Sequence, residues 1–253
     1  MVSLRGMQRL FLHIAYDGTN YSGWQTQKRV PTVQETIEDT LSRLYDTPIK
    51  VEGCGRTDAG VHASSYYLHY DAPRDRDPLV FILNKMLPDD IAVRAVHEVP
   101  ADAHARFSAE WRSYTYHLHE GKDPFRRLHS LEVPLSKWRR SDCAEAVKLF
   151  RRGEYFRHFC RASPKEKHYL STIRSVDLVF DEEGTARFEI TANRYLHNMI
   201  RRLVGCLVDL SKGNIDLNQI EAALFHDRPM SFSYCAPPQG LFLSRVTYPF
   251  LPA

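Results

Sequence analysis

The 253-residue sequence contains few cysteines, and no two of them are close together. There are five, and they lie at positions Cys54, Cys143, Cys160, Cys206 and Cys235. A disulfide framework uses an even set of cysteines at short spacings, and a structural zinc site uses closely spaced pairs. The pattern argues against both kinds of cross-link and predicts small, partly buried residues.

The sequence also lacks any long apolar run. Hydrophobic residues make up 43% of the chain, as in an ordinary globular protein. No stretch approaches the roughly 20 consecutive apolar residues that cross a bilayer. The N-terminal stretch MVSLRGMQRL has no apolar centre of the kind found in signal peptides. We therefore expect a cytoplasmic protein that does not associate with membranes.

A nucleotide-binding loop is absent as well, although one glycine-rich stretch comes close to it. Residues 53–55 begin like a dinucleotide loop, but Asp58 occupies the position of the third glycine. Residues 55–60 have the spacing of a phosphate loop, but Val61 and His62 replace the required Lys-Ser/Thr pair. The sequence thus predicts no nucleotide cofactor, and it contains no cluster of metal-ligating residues.

The net charge is only +3, but the positive charge is concentrated in one part of the chain. Between Arg112 and Arg174 there are fifteen Lys/Arg and seven Asp/Glu residues. Aromatic residues are interleaved with these cations, notably at Tyr155, Phe156 and Phe159. Such a mixture suits a polyanion whose bases can stack. A helix face turned to water would give the same composition, so both interpretations remain open.

Periodicity and capping signals predict the same succession of elements twice: strand, helix, strand, strand, helix, strand. In the first succession the predicted strands are 9–16, 49–52, 64–70 and 91–99, and the helices are 33–45 and 79–87. In the second, the strands are 113–119, 172–180, 185–192 and 241–248, and the helices are 141–152 and 195–211, with an extra helix at 217–225. This order is typical of split βαβ units. We predict an α+β protein of two ferredoxin-like halves, 1–107 and 108–253, with abutting antiparallel sheets and a central cleft.

The stretch EGCGRTDAGVHASSYYLHY, residues 52–70, places one carboxylate among glycines. Arg56 and Asp58 are two residues apart, so they share a face in an extended segment. Glycines permit sharp turns and close approach of a ligand. The stretch is either an ordinary turn in which Asp58 caps its own backbone, or a loop that holds Asp58 out for chemistry.

Four stretches resemble the tRNA pseudouridine synthase A family. GRTDAGVHA at 55–63 resembles its signature, and YDGTNYSGWQ at 16–25 resembles its N-terminal motif. HARFSA at 104–109, followed by SYTY at 113–116, and LHNMIRRLVG at 196–205 also agree. One departure lies at Gly153-Glu154-Tyr155-Phe156, where the family has an Asp-Phe pair.

The resemblance implies an isomerase that converts uridine to pseudouridine in the anticodon stem-loop of tRNA, at positions 38, 39 and 40, in a homodimer without a cofactor. It implies that Asp58 is the catalytic carboxylate and that Tyr114 stacks on the flipped-out uracil. Arg56 would hold the flipped nucleotide's phosphate or help to extract the base. Arg201 would pair with Asp58, because it lies at the edge of an apolar stripe on the 195–211 helix. An arginine that only extends its side chain to solvent would fit the same stripe.

Two other functions are compatible with parts of the sequence. An RNA-binding module with the same sheets would hold RNA without altering it, and only the Asp58 motif argues against this. A glycosidase-like hydrolase would use a carboxylate pair, for which Glu52 is the nearest acid to Asp58. His62 and His69 are predicted to be structural, since the family gives neither a catalytic role.

Overall fold

The structure is a computed structural model that describes residues 7–73, 78–162, 168–181, 183–230 and 234–252. Its contacts divide the chain into two compact units, Met1–Glu110 with Phe242–Ala253, and Trp111–Leu241. This grouping differs from the predicted division at 107/108 in that the residues from Phe242 onward join the N-terminal part. In the described part of the chain, no helix combines the length and apolarity needed to cross a membrane.

The first unit contains an antiparallel sheet to which one parallel strand is added. Its strands are β1 (Met7–Tyr16), β2 (Glu52–Gly53), β3 (His62–Pro73), β4 (Ile91–Glu98) and β9 (Leu241–Thr247). Strand β1 lies between β3 and β4 and is antiparallel to both, and β2 is antiparallel to β3. Strand β9 pairs in parallel with the start of β3, through His62 with Phe242 and Ala63 with Leu243. The end of the chain is thereby joined to the N-terminal sheet.

Two helices accompany this sheet, α1 (Val33–Tyr45) and α2 (Leu79–Met86). The Thr32 hydroxyl caps α1 by accepting a hydrogen bond from the Glu35 amide at 3.4 Å. Val33, Ile37 and Leu41 recur at helical spacing and are buried, so α1 presents one apolar face to the core of the unit.

The strands of the second unit are mainly antiparallel: β5 (Trp111–His119), β6 (Leu131–Glu132), β7 (Ile173–Phe180) and β8 (Thr185–Ala192). Strand β8 lies between β5 and β7 and is antiparallel to both, and the short β6 is parallel to β5. Its helices are α3 (Arg140–Arg152), α4 (Met199–Lys212) and α5 (Leu217–Phe225). The mixed α and β composition and the antiparallel pairing agree with the predicted fold class.

Two predicted elements are shorter in the structure, and both differences have a local cause. Helix α4 begins at Met199 instead of 195, because Asn198 has a φ of 61° in the left-handed region. The strand predicted at 49–52 is reduced to β2. The amides of Ile49 and Val51 donate instead to the side chains of α1, at Ser42 Oγ and Glu38 Oε1. A backbone amide committed to a helix side chain is not available to a strand partner.

The burial of the cysteines agrees with their prediction as small, partly buried residues. All five cysteines are free, and four of them are buried; the exception is Cys235, which is partly exposed. The four buried cysteines serve as small core residues.

Candidate active site

Asp58 lies on the loop between β2 and β3, and the segment between β1 and α1 packs against that loop. The Trp24 amide donates to the Thr57 carbonyl at 3.1 Å, and the Gly60 amide donates to the Tyr21 carbonyl at 3.3 Å. These bonds join two of the stretches that resemble the family, residues 16–25 and 55–63. The backbone on either side of Asp58 is therefore fixed by a segment distant in sequence.

Three side chains support the same loop from within the unit. The hydroxyls of Tyr16 and Thr57 are 2.8 Å apart, and Thr57 is buried. The Tyr66 hydroxyl donates to the Gly55 carbonyl at 2.6 Å, and the Tyr66 ring stacks on Trp24 with centroids 4.2 Å apart. Because these buried hydroxyls are hydrogen-bonded, they hold the loop in one defined conformation.

The loop exposes Arg56, buries Thr57 and leaves Asp58 half-buried. The Asp58 carbonyl accepts from the Val61 amide at 3.1 Å, which closes a four-residue turn. Gly60, the third residue of that turn, has a φ of 75°, where glycine is favoured. The backbone carbonyl of Asp58 closes the turn, so turn formation does not by itself require the carboxylate.

Tyr114 and Tyr116 lie two residues apart on β5 of the second unit, and both are buried. The Tyr114 ring packs edge-on against Tyr195, with centroids 5.0 Å apart. Tyr116 is fully buried and donates its hydroxyl to the Pro237 carbonyl at 2.7 Å, as a core residue does. The stacking role of Tyr114 stays a prediction.

Arg201 lies in the first turn of α4 and is partly exposed. Its Nε donates to the Ala236 carbonyl at 2.7 Å, and its own carbonyl accepts from the Ala236 amide at 3.0 Å. This two-point contact holds α4 to the chain around residue 236. The predicted pairing of Arg201 with Asp58 would connect the two units and stays a prediction.

Four cations of the basic segment lie on aromatic rings of the second unit. The guanidinium carbons of four exposed arginines are 4.5 to 5.9 Å from ring centroids: Arg140 over Phe180, Arg152 over Phe225, Arg157 over Tyr169 and Arg174 over Trp111. Lys165 and Lys167 also belong to this segment, but they lie outside the described residues. Cation–π contact orients each guanidinium. The guanidinium of Arg157 also pairs with Asp227, with Nη1 3.4 Å from Oδ2.

The two histidines predicted to be structural are buried and bonded to backbone. His62 Nδ1 lies 3.1 Å from the Gly18 amide, and its ring stacks on Phe242 with centroids 4.5 Å apart. His69 Nδ1 accepts from the Ala105 amide at 3.1 Å. Burial, aided by the nearby His104, lowers the pKa of His69 to about 4. His69 is thus neutral at pH 7 and acts as an acceptor.

This lowered pKa predicts a loss of stability in mild acid. As the pH falls below about 6.5, the unfolded chain protonates His69 while the folded chain does not until about pH 4. Neutral His69 therefore contributes to the free energy of unfolding at pH 7. This contribution decreases as the pH falls from about 6.5 to about 4, by about 2 kcal/mol from pH 7 to pH 4.5. Urea unfolding of His69→Asn, which keeps an acceptor but does not titrate, should show a correspondingly smaller decrease. An equal decrease in wild type and variant would contradict this assignment.

Known proteins of one family are similar in sequence to most of this chain. The sequence model of a family described as tRNA pseudouridine synthase matches residues 13–108 and 146–249. A tRNA pseudouridine synthase A of Porphyromonas gingivalis is 38% identical over 251 residues, covering 96% of this chain and 98% of the relative. The enzyme of the same name from Listeria innocua is 36% identical, covering 96% and 100%.

A solved Cbf5-Nop10-Gar1 complex matches with a TM-score of 0.36 and 11% identity, covering 92% of this chain and 57% of that chain. This similarity is too low to support a conclusion about the fold. The sequence matches define the class of the protein, an isomerase of the pseudouridine synthase type. The chain belongs to the tRNA pseudouridine synthase A family.

Proposed function

We propose that this chain isomerises uridine to pseudouridine in the anticodon stem-loop of tRNA, at positions 38, 39 and 40, with Asp58 as the catalytic carboxylate. The observation that carries the proposal is the loop 55–63. It bears the family's signature, and its backbone is fixed on both sides of a half-buried aspartate. Such fixation suits a catalytic group, whose position must be set before the substrate binds.

The reaction breaks the bond between N1 of uracil and the sugar, and it forms a new bond between the sugar and C5. The C5 hydrogen leaves as a proton and N1 gains one, so atoms and electrons balance without a redox partner. An ionised Asp58 can serve as a nucleophile or stabilise positive charge that develops on the sugar.

The target base must leave its stack, which costs a few kcal/mol. We assign Tyr114 to stack on the extracted uracil, which contributes roughly 1–3 kcal/mol. Arg56, which is exposed two residues before Asp58, would bind the phosphate of the flipped nucleotide. Arg201 would pair with the Asp58 carboxylate. The exposed arginines of the basic segment would bind the body of the tRNA.

The proposed architecture has two ferredoxin-like halves with abutting sheets and a central cleft. The order β1-α1-β2-β3-α2-β4 and its antiparallel pairing support this in the first unit. The β5-α3-β7-β8-α4 order supports it in the second. A homodimer is proposed from the family alone. A cytoplasmic location is proposed because no stretch of the sequence approaches the length of an apolar membrane span.

Release of tritium from tRNA labelled at C5 of uridine tests the function directly. Pseudouridine formation frees the C5 hydrogen, so purified wild-type protein should release tritium and leave no free uracil. Binding of tRNA with no release would favour the RNA-binding module. Free uracil among the products would favour the hydrolase, for which the exposed Glu52 on β2 is the nearest acid in sequence.

A further inference from the structure

Residues 104–108, between β4 and β5, form a compact turn that is fixed by its own hydrogen bonds. The Ser108 amide donates to the His104 carbonyl at 2.9 Å, and the His104 amide donates to Ser108 Oγ at 3.0 Å. The amides of Arg106 and Phe107 lie 3.1 and 3.4 Å from Nδ1 of the His104 ring. One imidazole thus organises the tip of the turn.

The turn is also anchored to the sheet of the first unit. Ala105 is fully buried; its amide donates to His69 on β3, and its carbonyl accepts from the Tyr248 hydroxyl at 2.6 Å. The His104 ring packs edge-on against His69, with centroids 4.6 Å apart. Both polar groups of Ala105 are therefore satisfied by side chains of the sheet region, and the turn is rigidly placed.

This rigid turn presents an aromatic ring to solvent. Phe107 is 76% exposed, and its ring centroid lies 4.4 Å from that of His104. The guanidinium carbon of Arg106, which is also exposed, lies 5.6 Å from the Phe107 centroid. The fixed turn thus holds a flat apolar surface and a cation side by side.

We propose that Phe107 and Arg106 form a substrate-positioning contact, in which the ring stacks on an unpaired base of the RNA and the guanidinium binds an adjacent phosphate. This inference rests on the proposed function, which supplies RNA as the ligand. A single ring flanked by a cation matches the chemistry of single-stranded RNA, where bases stack and phosphates carry charge. A protein partner would require a larger apolar patch. Because the turn is already ordered, little conformational entropy is lost on binding.

Steady-state tritium release by Phe107→Ala, Phe107→Leu and Phe107→Tyr tests this contact. Alanine and leucine remove the aromatic face, so the KM for tRNA should rise roughly 5- to 150-fold, the range expected for one stacked base. Tyrosine keeps the face and should behave as wild type. In Phe107→Trp, the added indole fluorescence should be quenched on addition of an anticodon stem-loop RNA, a change that a purely structural residue would not produce.

Phe81→Ala is the matched control. Phe81 is 61% exposed on α2 and has the ammonium of Lys85 at 5.8 Å from its ring centroid, but it is not held by a comparable turn. Its KM should equal that of wild type. Equal KM values for Phe107→Ala and Phe81→Ala would overturn the inference, as would a change of oligomeric state in Phe107→Ala, which would indicate a contact between copies of the chain. Absence of tritium release from wild-type protein would overturn the proposed function instead.

Discussion

Asp58→Asn is expected to reduce tritium release from C5-labelled tRNA by at least about 10³-fold, because an amide cannot act as the carboxylate nucleophile or carry its charge. Asparagine has nearly the same size, and the turn at 58–61 is closed by the backbone carbonyl of residue 58. The variant should therefore keep the turn and its affinity for tRNA. Single-turnover tritium release and tRNA binding by the same preparations would measure the two properties separately.

Asp39→Asn is the control for this substitution. Asp39 is an exposed aspartate on α1 of the same unit, so the control makes the same chemical change without touching the loop. It should release tritium at the wild-type rate. If Asp58→Asn retained activity within tenfold of wild type, Asp58 would not be the catalytic group. The enzyme class would still hold, since it rests on similarity over most of the chain.

Local sequence signals predicted most elements of this fold, because they are determined within a few residues. The Thr32 cap and the buried positions that follow it place α1 correctly. The signals failed at two places, where a hydrogen bond to a distant side chain or a left-handed residue interrupts the predicted element. The amides of Ile49 and Val51 are bonded to α1 side chains. Asn198 adopts a left-handed conformation, so α4 begins only at Met199. The short β6 was also not predicted, since a two-residue pairing leaves no periodicity.

Local sequence signals also mark only part of the candidate site, the part that lies within a few consecutive residues. The motif itself marked Arg56 and Asp58, and the structure places both on one loop. No sequence pattern indicates that the Tyr16 and Tyr66 hydroxyls support that loop, because both tyrosines fit equally well as core residues of strands. The contact between residues 16–25 and 55–63 joins segments far apart in sequence, and only the folded chain shows it.

Gly23→Ala should damage both the stability and the activity of the protein. Gly23 has a φ of 89°, and a methyl group there would lie 2.5 Å from the Thr57 carbonyl oxygen, next to Asp58. Left-handed backbone costs about 1–2 kcal/mol for a residue with a side chain, and overpacking adds about 1–3 kcal/mol. We expect the free energy of unfolding to fall by roughly 2–5 kcal/mol. In the fraction that remains folded, displacement of the Thr57–Asp58 peptide should lower kcat by about 10²-fold.

Gly213→Ala separates the two causes. Gly213 follows α4 with a φ of 76°, and among the described residues nothing lies within 4 Å of the position of its added methyl group. In this variant only the cost of the left-handed backbone remains, so the free energy of unfolding should fall by about 1–2 kcal/mol and kcat should equal that of wild type. Urea unfolding together with kcat for tritium release measures both quantities. Equal behaviour of the two variants would show that close contact between residue 23 and the 57–58 peptide does not position the catalytic loop. A larger loss of kcat in Gly23→Ala alone would establish that contact as the support of Asp58.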